Sequence, residues 1–317
     1  MADPPRDLAR WSLHCFCLRA RSNPKKVIAL DNNGEVLFHL IDGGTADELR
    51  SRGVEVTQSQ LALLEAYRLI MPSGAGHITK IPVLGPDQIA AVREWAGRMA
   101  RAQVADVATH AREIAGLLSE RGFRSSGYAV VFGHALDGVI WDLLRVRGDL
   151  PEIDLTIEEP FWRGSFWAVY PGRAGSAGTN EHVEGDKALV MVWDDATAAG
   201  LVEVAADPEL PHMLRSLPRG AKSVVLQGLP IPVLHTSDPI HRAAVVLAQT
   251  VAAVIPDGPV GSDLIGRTGV TVTPRDASVI LTHEVIWAVS NLLTETGVVA
   301  KNDRSGLDSR LFVRVDD

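Results

Sequence analysis

Apolar positions recur along this chain with two periods, and the change from one to the other marks out its organisation. From Pro86 to about Arg121, Ile89, Val92, Trp95, Ala96, Met99, Val104, Val107, Ile114, Leu117 and Leu118 repeat at steps of three and four, which keeps one stripe of an α-helix buried. The spacing predicts one long helix, or two collinear ones. After the break at Gly127, Val130, Phe132, Leu136, Val139, Ile140, Leu143 and Leu144 are apolar almost all round, which predicts a helix buried on several sides. Between Pro151 and Gly258 the texture changes to short β-like runs at 165–170, 188–193 and 223–226. Gly/Pro-rich loops and a helical stretch at 240–254 separate them, as in a compact α/β domain.

Before and after these segments the order of signals is that of helix, turn, helix and strand. An apolar run at 27–30, a turn at Asn32-Asn33-Gly34 and a second run at 36–41 predict a strand or a short helix pair. Thr45 can cap a helix with Glu48 three residues on, Gly53 can end it, and Thr57 can cap a second helix carrying Leu61, Leu64 and Leu69. A turn at 71–76 and a strand at 77–83 follow, the order expected of a winged helix. At the other end a helical run at 278–296, a stop at Gly297, a polar turn at 302–306 and an alternating run at 311–315 predict a second winged helix.

The expected fold class is therefore mixed α/β (α+β), with a winged-helix module at each end, a helical bridge and a compact α/β middle domain. The boundaries fall at 1–85, 86–150, 151–258 and 259–317. In the layout of these elements the chain resembles bacterial winged-helix proteins, best over the N-terminal module and poorly over the middle. That resemblance implies a fold and no activity.

Charge and composition narrow the function. No apolar run reaches the roughly 18–20 residues of a membrane span, and the start, MADPPRDLARW, is charged and proline-rich, so the expectation is a cytoplasmic protein without a membrane partner. Cys15 and Cys17 flank a single residue, too short a loop for an unstrained disulfide, and are expected as free thiols. The net charge of −8 disfavours nucleic acid, whose nonspecific affinity comes mainly from Lys and Arg on phosphates. Oligomeric state is not set by the sequence.

Two clusters offer chemistry. In a helix, His134, Asp137, Gly138 and Trp141 fall on one face through three- and four-residue spacing, so His134 could act as acid or base with Asp137 orienting it; a buried His–Asp hydrogen bond locking a core helix is the plainer alternative. In a strand around 161–171, Arg163, Ser165, Trp167 and Val169 point one way and Trp162, Phe166 and Tyr170 the other, beside a glycine-rich loop bearing Ser176, Thr179 and Asn180. Trp162, Arg163, Trp167 and Tyr170 then suit a planar or anionic ligand, against ordinary core packing and a solvent loop. No nucleotide or acyl-enzyme motif is present. The scattered His182, His212, His235, His241 and His283 lack metal-ligand spacing, so no cofactor and no metal are expected.

The leading expectation is a small-molecule-binding protein, or a cofactor-independent acid/base enzyme, with its cleft between the central helix and the middle domain. A ligand-responsive regulator reading DNA with Gln58, Ser59 and Arg68 is the second, although only Arg68 among the expected exposed residues Gln58, Ser59, Glu65 and Arg68 is cationic. A scaffold gripping another protein through its wings is the third.

Overall fold

In the computed structural model, which describes residues 3–16, 23–151, 162, 164–300 and 306–317, the helix caps legible in the sequence are in place. Strand β1 (Ser12–Phe16) is followed by short helices α1 (Lys25–Ile28) and α2 (Asn33–His39), so the ambiguous apolar runs at 27–30 and 36–41 are helical rather than extended. Helices α3 (Ala46–Ser51) and α4 (Gln58–Ala66) each begin in a reciprocal capping box, Thr45 with Glu48 and Thr57 with Gln60. The backbone N–H of Thr45 and its hydroxyl hold the Glu48 carboxyl below the usual carboxylate range. Gly53, at φ +84°, stops α3 in a left-handed conformation that a side chain would strain.

Strands β2 (Ile70–Ser73) and β3 (Gly76–Thr79) form an antiparallel hairpin, so most of the expected turn at 71–76 is strand and only Gly74-Ala75 connects. Gly44 and His77 form a bridge beside it, and Thr79 fastens the hairpin to α2 through its N–H to the Leu40 carbonyl and its hydroxyl to the Leu37 carbonyl at 2.6 Å. Val36, Leu37, Leu40, Leu49, Leu61, Leu64, Leu69 and Ile70 share one core.

After β4 (Val83–Leu84), the predicted long helix is a single α5 (Pro86–Glu120), with Ile89, Val92, Ala96, Val107, Ile114 and Leu118 buried on its apolar stripe. The next helix begins as α6 (Gly127–Ala129), passes through a ten-residue π-helical segment, Val130–Val139, and ends as α7 (Ile140–Arg147). Strand β5 (Ser165–Val169) lies between β1, antiparallel to it, and β4, parallel to it.

Strands β6 (Ala177–Glu184) and β7 (Lys187–Asp194), helices α8 (Ala198–Ala205) and α9 (Leu210–Ser216), strands β8 (Ser223–Leu226) and β9 (Leu229–His235), and helix α10 (Pro239–Ala252) come next. Helices α11 (Gly258–Gly266) and α12 (Pro274–Glu295) and strand β10 (Leu311–Val315) complete the path. The five-stranded sheet has the order β6-β7-β10-β9-β8, with β10 antiparallel to β7 and parallel to β9. Leu189, Met191, Ile231, Val233, Leu311, Val313 and Val315 pack with α8 and α9, while the alternate residues Thr179, Val192 and Phe312 meet the π segment at Gly133.

The protein is mixed α+β, with 52% helix and 18% strand in several sheets among the described residues, and its contacts divide into two compact units. One holds Met1–Val92, Asp149–Arg173 and Pro256–Leu281, the other Arg93–Gly148, Ala174–Ile255 and Thr282–Asp317. Each is assembled from three stretches, so the expected consecutive modules 1–85, 86–150, 151–258 and 259–317 are not the units the packing makes. The reason is long-range pairing: β5 joins β1 and β4, and β10 joins β7 and β9.

That pairing also corrects the expected C-terminal winged helix, because β10 is the middle strand of a sheet and not one arm of a wing. Most of the expected turn at 302–306 lies outside the described residues. Helix α12 is long and apolar enough to cross a bilayer by length and composition, having tolerated the polar Thr282, His283 and Glu284 that break its apolar run; 72% of its most apolar stretch is buried within the protein.

A Cβ added at Gly133 would lie 2.5 Å from Val192 Cγ2, 3.2 Å from Phe312 and 3.3 Å from Thr179. Alanine gains about 0.5–1 kcal/mol over glycine inside a helix, but overpacking a closed core costs about 1–3 kcal/mol. Gly133→Ala is therefore expected to lower stability by about 1–2 kcal/mol, read as a lower urea midpoint at unchanged slope.

Candidate functional site

The π-helical segment decides where the second unit puts its polar side chains. Its i→i+5 pattern widens each turn, and Gly138 lets the turn form: a Cβ there would stand 2.8 Å from the Gly133 carbonyl oxygen. A wider turn keeps residues four apart on one side and swings residues three apart away from each other. Asp137 and Trp141 accordingly meet, with the indole N–H donating to Asp137 Oδ1 at 2.9 Å, and the Thr179 hydroxyl donates to Oδ2 at 2.9 Å from β6.

His134 goes elsewhere. Its Nε2 lies 3.0 Å from Nδ1 of His241 on α10, and the Phe312 ring stands edge-on to it at 5.9 Å. The expected pairing of His134 with Asp137 is thus replaced by His134 with His241 and by Asp137 with Trp141 and Thr179. The α-helical spacing that joined the first pair does not hold in a π turn.

Both groups are moved from their ordinary titration ranges, in opposite senses. His134 is buried, and burial first, then the nearby charges of His241 and Arg314, push it down to about 3. Burial also lowers His241, which is half-buried. Asp137, half-buried, is pushed up to about 6 by burial, against the lowering effect of its bonds from Trp141 and Thr179. Near neutral pH the cluster therefore holds two uncharged imidazoles and one ionised carboxyl. A ring wall continues from it: the Trp141 and His283 centroids are 4.8 Å apart, those of His283 and Trp287 5.2 Å, and Trp287 is held by its N–H to the Ala177 carbonyl at 2.8 Å.

The other expected ligand residues divide differently. Trp162 and Trp167 are 5% and 0% exposed in the first unit, and Tyr170 packs on Trp11 at 5.7 Å, so this aromatic cluster is core packing and not a pocket wall. Arg163 lies outside the described residues. The glycine-rich stretch expected as a loop becomes β6 from Ala177 on. Gly178 there leaves room for the Trp193 ring, 2.5 Å from where a Cβ would lie. Thr179 turns inward to Asp137, Asn180 is exposed, and Ser176 is half-buried just before the strand. His241, His283 and Trp287 went unrecognised in the sequence as members of this cluster, since nothing in it shows that α10 and α12 converge on the π segment.

Gln58 and Ser59, at the start of α4, and Arg68, in a left-handed turn just beyond it at φ 57°, are all exposed. Among the described residues no group of three or more His, Cys, Asp or Glu side chains is arranged to hold a metal ion. His235 is instead tied to Asp317 Oδ1 at 3.0 Å and to the Ala221 carbonyl. No protein-family model, no curated protein and no solved structure matches the chain.

The opposite shifts have a measurable consequence for stability. His134, with a folded pKa below its ordinary 6.5, contributes stability above that pH and loses it as the pH falls toward 3. Asp137, raised from 3.8, contributes stability at low pH and loses it as the pH rises through 6. Between about pH 4 and 6 the unfolded chain holds the proton on His134 and the native protein holds it on Asp137, so the two effects offset. Asp137→Asn is expected to steepen the acid loss of stability by about 1.4 kcal/mol per pH unit in that window, and His134→Gln to flatten or reverse it. Urea titrations at both ends of the window check the pair.

Proposed function

We propose that the protein is a winged-helix recognition protein that grips a protein partner through α4 and the β2–β3 hairpin. The order of α2, the Gly44–His77 bridge, α3, α4, β2 and β3 supports a winged helix at this end. The observation that carries the choice of partner is the character of the exposed face. Gln58, Ser59, Ala62 and Glu65 are exposed on α4, and Met71, Pro72, Ser73, Gly74 and Ala75 on the hairpin. Cations enter only at its margins, as Arg68 and Lys80. A surface with an exposed methionine and, apart from Glu65, no charge between those margins suits a protein interface, where charged residues are depleted at the centre.

DNA needs more charge than this face supplies. A duplex reader typically neutralises about 6–10 phosphates, and two flanking cations would give a log–log salt slope of only about −2. The acid/base enzyme reading is weakened in turn, since His134 and Asp137 hold different partners and the aromatic wall assigned to it is core. The cytoplasm is the setting this proposal takes.

The test has two arms. Fluorescence anisotropy with a labelled duplex at low salt is expected to show no binding at micromolar protein. A photo-crosslinking residue at position 71 or 62 is expected to give one discrete protein adduct in cells, with none from the exposed Val202 on the second unit; Met71→Asp should abolish the adduct formed from position 62. Tight duplex binding lost in Arg68→Ala would instead make the module a DNA reader.

A further inference from the structure

Asp137 carries its charge beside neutral groups. Its carboxylate accepts from the Trp141 indole, from the Thr179 hydroxyl and from the Thr179 backbone, which uses three of its roughly four acceptor sites. Of the largest influences on its titration, the one that comes from a charged group is Glu181 on β6, another anion. His134 and His241 are held uncharged near neutral pH by burial. Arg314 on β10 is engaged by Glu181 at 2.8 Å and Asp316 at 3.3 Å. Asp142 and Asp238 add further negative potential around His241, and Asp238 is paired with Arg121 at 2.6 Å.

The geometry around this carboxylate is that of a receptor for positive charge. Asp137, Thr179, Gly138 and His283 reach solvent, while Trp141 and Trp287 form the nearly buried backing of a ladder of three rings. An ionised carboxylate with an acceptor site free, set beside aromatic faces, attracts a cation both by charge and through the ring quadrupole. Asp137 lies in a ten-residue π segment, a rare form of helix that is frequent at functional sites.

We propose that Asp137, Trp141 and His283 form a binding site for a small organic cation, an alkylammonium group whose charge meets the Asp137 carboxylate while its carbon atoms lie against the Trp141 and His283 rings. The site belongs to the second unit and does not rest on the winged-helix proposal.

The experiment is an NMR titration of the full chain carrying ¹⁵N-labelled tryptophan, with the Trp141 indole resonance assigned through Trp141→Phe. Butylammonium is the probe and butanol its uncharged counterpart. The Trp141 resonance is expected to shift saturably with butylammonium and not with butanol. Affinity should fall about tenfold from pH 7 to pH 5, because a carboxyl titrating at about 6 is mostly ionised at the first and mostly protonated at the second. Asp137→Asn should remove the shift while leaving the other indole resonances dispersed as in a folded protein. An equal shift with butanol, a shift retained in Asp137→Asn, or no saturable shift up to about 50 mM would overturn the proposal. If Asp137→Asn does not fold, the butanol and pH arms on the unaltered protein decide it.

Discussion

Strand β10 lies between β7 and β9, and the five-stranded sheet is one surface only because that strand fills the gap. The pairs β6–β7 and β8–β9 are local hairpins; β10 joins them across their inner edges. Its residues are divided by the pleat, with Leu311, Val313 and Val315 serving the side that carries α8 and α9 and Phe312 the side that carries the π segment. Just ahead of it Arg310, almost fully buried, pairs with Asp194 at 3.1 Å and lies over the Tyr128 ring at 5.0 Å. A buried guanidinium is costly unless paired, so this pair fixes the strand's entry and ties it to the end of β7.

The π segment is set by that floor. Gly133 sits against Val192, Phe312 and Thr179 with no space for a side chain, and Gly138 allows the wide turn that follows. Together the two glycines choose which residues of one apolar helix look toward β6 and which toward α10. The pairing within the cluster follows from winding more than from composition: the same His and Asp on an α-helix would have faced one another.

Local signals were legible in the sequence and remote ones were not. The boxes at Thr45 and Thr57, the stop at Gly53, the stripe of α5 and the apolar runs of β5, β7 and β8 each express an interaction within a few residues, and the structure has them close to where the pattern put them. Strand β6 was hidden because Gly178, needed for the Trp193 ring across the ladder, reads as a loop residue when the partner strand is unknown. Trp162, Trp167 and Tyr170 attracted a binding role because aromatic crowding looks alike in a pocket and in a core, and only burial separates them. For the candidate site, Asp137 and Thr179 were named but not their contact, and His241 and His283 stood in the sequence as unrelated histidines.

The position of β10 in the chain also bears on synthesis. A ribosome that has released residues 177–235 has delivered four strands of the sheet and both hairpins, yet their inner edges, rich in unpaired backbone donors and acceptors, face a vacancy until residues 311–315 emerge. Roughly seventy-five residues separate the end of β9 from the start of β10, an interval of several seconds at ordinary elongation rates. For that interval the nascent protein offers two sticky strand borders to any chain nearby, which makes this stretch of translation the moment at which a chaperone of nascent chains has most to protect.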